Sequence, residues 1–109
     1  MITHTGFFGD AEYVFALTDP MVTELERLSD RGIGAIYKRT IAQDFAASDL
    51  GRIIRLGLIG GGMNPATAHD LVETYAIDRP FAETFPLALD VLDARWSGTP
   101  SPDTKDAAE

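Results

Sequence analysis

GLIGGGMNP occupies residues 57–65, and two readings of it lead to two different folds. As a phosphate-cradling loop it would join a strand to a helix, the mark of a nucleotide-binding α/β domain. As a corner it would end one helix and begin another. The residues favour the corner. A Walker-type loop needs Gly-x-x-x-x-Gly-Lys followed by Ser or Thr, so that the lysine reaches the phosphates. Here Met63 and Asn64 follow the glycines and no lysine is near. A dinucleotide fingerprint needs a strand before its glycines, whereas Leu50, Ile53, Ile54 and Leu58 recur at helical spacing after Ser48-Asp49, which reads as a capped helix start. Leu56 and Ile59 widen that stripe, so this third helix should be the most buried of the chain. Gly60, Gly61 and Gly62 then stop it. Asn64-Pro65 restarts a helix, with a capping side chain and proline at the first helical position. Gly51 and Gly57 lie inside the third helix. Each costs about 1 kcal/mol there relative to alanine, and the expected compensation is close approach of a neighbouring segment.

Working outward from the corner, the fourth helix turns Ala68, Leu71, Val72 and Tyr75 inward. Asp78, Arg79 and Pro80 precede a fifth, which carries Phe81, Phe85, Leu87, Leu89, Val91, Leu92 and Trp96. Pro86 falls inside that pattern and either kinks the helix or marks its first turn. Upstream, a helix is predicted over about Ile33–Gln43 with Ile33, Ile36, Tyr37 and Ile41 on one face. Another starts at Asp19-Pro20, with Asp19 as cap, carries Met21, Val22, Leu25 and Leu28, and stops at Gly32.

Residues 2–18 have a different period. In YVFALT, Tyr13, Phe15 and Leu17 alternate with Glu12, Val14 and Ala16, which suits a strand. ITHTGFF before it is also rich in β-formers, and Gly9-Asp10 makes a two-residue turn with glycine first, as a type II′ turn requires. The prediction is an α+β chain, mostly helical: an N-terminal hairpin and four or five short helices in one compact domain over residues 1–97. From 98 to 109 the sequence, ending in TPSPDTKDAAE, has no apolar anchor and is predicted to be a disordered acidic tail.

Composition narrows the function classes. The 109-residue chain has no cysteine and a net charge of −8, so disulfides and thiolate chemistry are excluded. An extended nucleic-acid surface, which needs many Lys and Arg contacts, is not expected. No apolar run reaches the roughly 18 residues needed to span a membrane, and no leader pattern precedes the hairpin. The expected location is the cytoplasm. His4 and His69 are the only histidines and form no metal-ligand spacing. The serines lack the nucleophile-elbow context. No catalytic, metal or cofactor residue is therefore assigned, and the chain is read as a non-enzyme. Arg52 and Arg55 share a helix edge suited to an anionic contact. Phe81, Phe85 and Trp96 make the final helix rich in aromatics. These five residues are the candidate partner-binding set.

Four segments occur in a telling order: YVFALTDPMVTELE, GIGAIYKR, DLGRIIRLGLIGGGMNPATAHDLVETY and RPFAETFPLALDVLDARW. Together they cover about residues 9–97, and their order resembles the small proteins of gene transfer agents and related phages classed as tail assembly chaperones, some of which carry a tail-tube label. The resemblance implies a helper that binds the tape measure protein, with the tail tube protein as a further partner, while the tail tube assembles. It carries no catalytic residues. An alternative is a structural, tail-tube-associated component that joins neighbours through its hairpin, and an open hairpin edge leaves room for a homodimer. A nucleotide binder built on the glycine segment is a third reading, and nucleotide-induced thermal stabilisation would reveal it.

Overall fold

The computed structural model describes residues 2–98. Apart from Gly98, the tail predicted over 98–109 lies outside the described residues. Strands β1 (His4–Phe8) and β2 (Ala11–Phe15) pair antiparallel, with His4 opposite Phe15 and Phe8 opposite Ala11. Five helices follow: α1 (Asp19–Ser29), α2 (Ile33–Ile41), α3 (Ala47–Gly60), α4 (Pro65–Tyr75) and α5 (Phe81–Ser97). The α+β expectation, mostly helical with a leading hairpin, holds.

The hairpin turns at Gly9, whose φ is +69° while Asp10 keeps a negative φ, as a type II′ turn requires. Tyr13 Oη donates to Asp10 Oδ1 at 2.6 Å and braces the turn. Phe8 and Phe15 enter the core, whereas Thr5, Phe7, Glu12 and Val14 face solvent. Two details differ from the alternation read in the sequence. Strand β2 ends at Phe15, and Ala16, expected to face outward, is buried. The reason is that Ala16 N donates to the Gly57 carbonyl at 2.9 Å, so the chain leaves its ladder to lie along α3.

Helix ends also needed tertiary information. Thr18, not Asp19, is the N-cap of α1. Asp19 is its first helical residue and accepts from Arg95 Nη2 at 2.5 Å. The helix stops at Asp30 in the left-handed region, φ 58°, and Gly32 instead becomes the N-cap of α2. Aspartate tolerates that region better than most residues. The carboxylate of Glu26 accepts from Ile33 N at 2.8 Å, which satisfies one of the amides a helix start leaves without a partner. Helix α2 ends before the predicted Gln43, which takes a φ of 60°. Ile41, predicted to face inward, is exposed, and Thr40 takes the buried position, donating its hydroxyl to Ile36 O at 2.7 Å. Ala46 caps α3, while Ser48 sits exposed inside its first turn. Asn64 does cap α4, accepting from Ala66 N at 2.8 Å. Helix α5 begins at Phe81, so Pro86 lies within it and outside the first turn.

Helix α3 is the centre of the molecule. Leu50, Ile53, Ile54, Leu56 and Leu58 are all buried, and α1, α4, α5 and β2 pack around them. Full burial of each such side chain stabilises by about 1.5–3 kcal/mol. The glycines decide how near the hairpin comes. A Cβ added at Gly60 would lie 1.8 Å from Ala16 O, and one at Gly61 would lie 2.1 Å from Val14 O. At Gly57 it would meet Phe15 Cδ2 and Val91 Cγ1 at 3.3 Å. These three glycines form a seat for the end of β2, a role beyond ending a helix. Gly51 differs from the expectation: its added Cβ would meet only Val72 Cγ1, at an ordinary 3.4 Å.

Candidate functional site

The five residues expected to bind a partner fall into three neighbourhoods. At the C-terminal end of α5, Trp96 stacks on Tyr37 of α2 with ring centroids 4.5 Å apart and planes inclined by 26°, yet it stays 61% exposed. Tyr37 Oη donates to Asp93 Oδ1. That bond, with some burial, holds the phenol above its ordinary pKa. Tyr37 and Trp96 join Val22, Ile33, Leu92 and Arg95 around a groove of about 320 Å³. Arg95 is already engaged, donating to Leu17 O at 2.8 Å and to Asp19. The groove therefore offers an apolar floor and an exposed ring rather than a free charge.

Phe81 and Phe85 sit at the other end of α5, where both meet Phe45 from the segment after α2. Phe85 stacks on it at 5.4 Å and Phe81 meets it edge-on at 6.2 Å. Phe81 remains 56% exposed. Phe45 escaped the sequence reading because it lies between helices and belongs to no periodic pattern.

Arg52 and Arg55 belong to α3 and line neither aromatic group. Arg52 Nη1 lies 3.7 Å from Asp49 Oδ1, and Arg31 Nη1 lies 3.6 Å from Asp49 Oδ2. Asp49 is thus a buried carboxylate between two cations, joining the α1–α2 connection to α3. Glu24 is held below the usual carboxylate range chiefly by its hydrogen bonds from Arg27, against some desolvation, and Arg55 adds its charge. Both arginines of the predicted pair face acidic groups of their own chain.

The hairpin supplies a surface of another kind. Phe8 and Ala11 flank a two-residue turn, so His4, Gly6 and Phe8 exchange hydrogen bonds with Phe15, Tyr13 and Ala11, while Thr5 and Phe7 aim their amides and carbonyls away from β2. Along the outer side of β2, α3 lies against the Val14–Ala16 end, where Ala16 N donates to Gly57 O and Gly61 lies against the Val14 carbonyl. The outer side of β1 has no backbone partner among the described residues. Phe7, 66% exposed, and Val14, 44% exposed, lie on the solvent face beside this edge. At the turn, Phe7, Phe8, Gly9, Tyr75, Arg79, Glu83 and Thr84 line a cleft of about 440 Å³, closed on one side by the Arg79–Glu83 ion pair at 3.0 Å.

These surfaces offer apolar contact, ring stacking and a strand edge. No group of three or more His, Cys, Asp or Glu able to hold a metal ion occurs among the described residues. No helix there is long and apolar enough to cross a membrane.

Comparison with curated proteins and with solved structures returned no match. A family model described as phage tail tube protein, GTA-gp10, matches residues 1–98. The matched span takes in the hairpin and all five helices, and it agrees with the resemblance to gene transfer agent and phage tail proteins. Its description names the tail tube rather than a chaperone. With nearly the whole chain matched, the protein belongs to the phage tail tube protein, GTA-gp10 family.

Proposed function

We propose that this chain is a non-catalytic, tail-tube-associated component of a phage-like gene transfer particle, joining its neighbours through the hairpin and assembling in the bacterial cytoplasm. The observation that carries this reading is the open β1 edge: a short strand with unpaired amides and carbonyls is a template for another strand. The family's tail-tube description supports the same direction. A two-stranded ribbon is too small to close a tube wall by itself, so the chain would attach to the tube rather than form its wall.

A second reading is favoured by the groove beside Trp96. An apolar floor with an exposed ring at its rim suits the apolar face of an amphipathic helix. In that reading the chain is a tail assembly chaperone that holds the helical tape measure protein during tube assembly and then leaves. Quantitative mass spectrometry of purified particles separates the two. A copy number in fixed proportion to the tube subunit supports the component. Absence from the particle, together with a higher soluble yield of coexpressed tape measure protein, supports the chaperone.

A further inference from the structure

We infer that the neighbour at the β1 edge is a second copy of this chain, giving a closed two-fold pair with one four-stranded sheet in the order β2-β1-β1-β2. This rests on the reading of the hairpin as a joining surface and names its first occupant.

Three observations converge on it. First, β1 is an unguarded edge. Edge strands are normally protected by lysine, proline or a bulge, and His4–Phe8 has none: its five residues, HTGFF, pair in unbroken register with β2. Second, no acidic, Lys or Arg side chain occurs from Met1 to Gly9, although the whole chain carries a net charge of −8. Two such chains repel each other over most of their surface, and the hairpin's first strand is where they can meet without placing like charges together. Third, the two edges differ. Gly57, Gly60 and Gly61 of α3 cover the far side of β2 from Val14 to Ala16, where an incoming strand would collide with the helix, whereas no helix backbone is bonded to the outer side of β1 among the described residues. An interface at which a surface meets itself closes on two copies, whereas a sheet open at both edges could continue into a fibre.

The register follows from the amide directions. Thr5 and Phe7 both face outward, so antiparallel pairing that uses all their backbone groups sets Thr5 opposite Phe7 of the second copy, with Gly6 on the two-fold axis. Phe7 of each copy then sits on the outer face beside the axis, where the rings cover part of the apolar surface that one copy leaves in water.

Sedimentation equilibrium of the full chain over a concentration series tests this. The expected result is a concentration-dependent rise from the 11.8 kDa chain mass to twice that value. Thr5→Pro removes one outward amide without touching the ladder to β2, and Phe7→Lys places a cation beside its own copy across the axis. Each should hold the chain at the single-copy mass with an unchanged far-ultraviolet circular dichroism spectrum. If Thr5→Pro fails to fold, Phe7→Lys, which leaves the backbone alone, decides. A single-copy mass for the wild type at every concentration overturns the inference. So does a pair that survives Phe7→Lys, or one that is lost only in Trp96→Ala. A free chain that stays single yet is found in fixed proportion in particles removes this inference and leaves the tail-component reading standing.

Discussion

The two faces of the molecule are built on opposite plans. Where the hairpin meets α3, contact is backbone to backbone: the added-Cβ distances at Gly60 and Gly61 are 1.8 and 2.1 Å, so no side chain larger than hydrogen fits. Where α2 and the segment after it meet α5, contact is ring to ring: Tyr37 stacks on Trp96, and Phe45 meets Phe81 and Phe85. On this face Trp96 and Phe81 stay more exposed than buried. The first plan spends side-chain volume to fix the hairpin's position. The second keeps large apolar surface within reach of solvent. Stability should therefore respond steeply to substitution at the seam and weakly at the rings, while binding should respond in the opposite order.

Four substitutions probe that contrast. The largest loss is expected for Gly60→Ala, because its methyl would collide with the Ala16 carbonyl and two backbones would have to separate. A loss of about 3 kcal/mol or more, at or above the usual range for overpacking, should appear as a lower urea midpoint. Gly57→Leu comes next. Its first new carbon would meet the side chains of Phe15 and Val91, which can yield a little, so about 1–3 kcal/mol is expected from the same titration. Asn64→Ala removes the cap on α4 and should cost about 1 kcal/mol, read as a drop in thermal midpoint. Trp96→Ala should shift stability by about 0.5 kcal/mol or less, as for exposed positions generally. If Trp96→Ala proves as costly as Gly57→Leu, the contrast between the faces is wrong.

A pH titration sharpens the contrast on the α5 side. Partial burial raises the Asp90 carboxyl above its ordinary range, with His4 opposing and Asp93 adding to the rise. A carboxyl whose folded pKa is raised binds its proton more tightly in the folded state. Its contribution therefore weakens stability as pH rises from the unfolded pKa through the raised folded one. Asp90→Asn should remove that decline, and melts of both forms across the acidic range should converge at low pH and separate above it.

The fold was largely legible because its strongest signals are periodic. The stripe from Leu50 to Leu58 and the stop-and-start at Gly60–Pro65 marked the central helix and its corner. The double role of the glycines was half visible. Spacing indicated that something approaches Gly57, but only the tertiary structure shows that it is the end of β2, and that Gly60 and Gly61 are held more tightly still. Helix ends were read less well, because Thr18, Asp30 and Ala46 act through backbone conformation rather than side-chain caps. The predicted partner-binding set was the least legible part. Residue type along single helices singles out its members, whereas their grouping depends on which helices meet. Phe45 lies outside any periodic segment, and Arg52 meets a buried acid on its own helix. The open β1 edge was foreseeable as a hairpin property. That α3 covers the Val14–Ala16 end of β2 and leaves β1 as the clearer edge follows from the glycine seat.

The most direct test of the claim that pairing through β1 brings this chain into the tail is a competition for incorporation. Wild-type chain and Thr5→Pro are coexpressed at equal levels, particles are purified, and the two versions are quantified by mass spectrometry. The account predicts strong enrichment of the wild type in the particle over its share in the cell. Equal incorporation of the two versions, or absence of both from the particle, would contradict it.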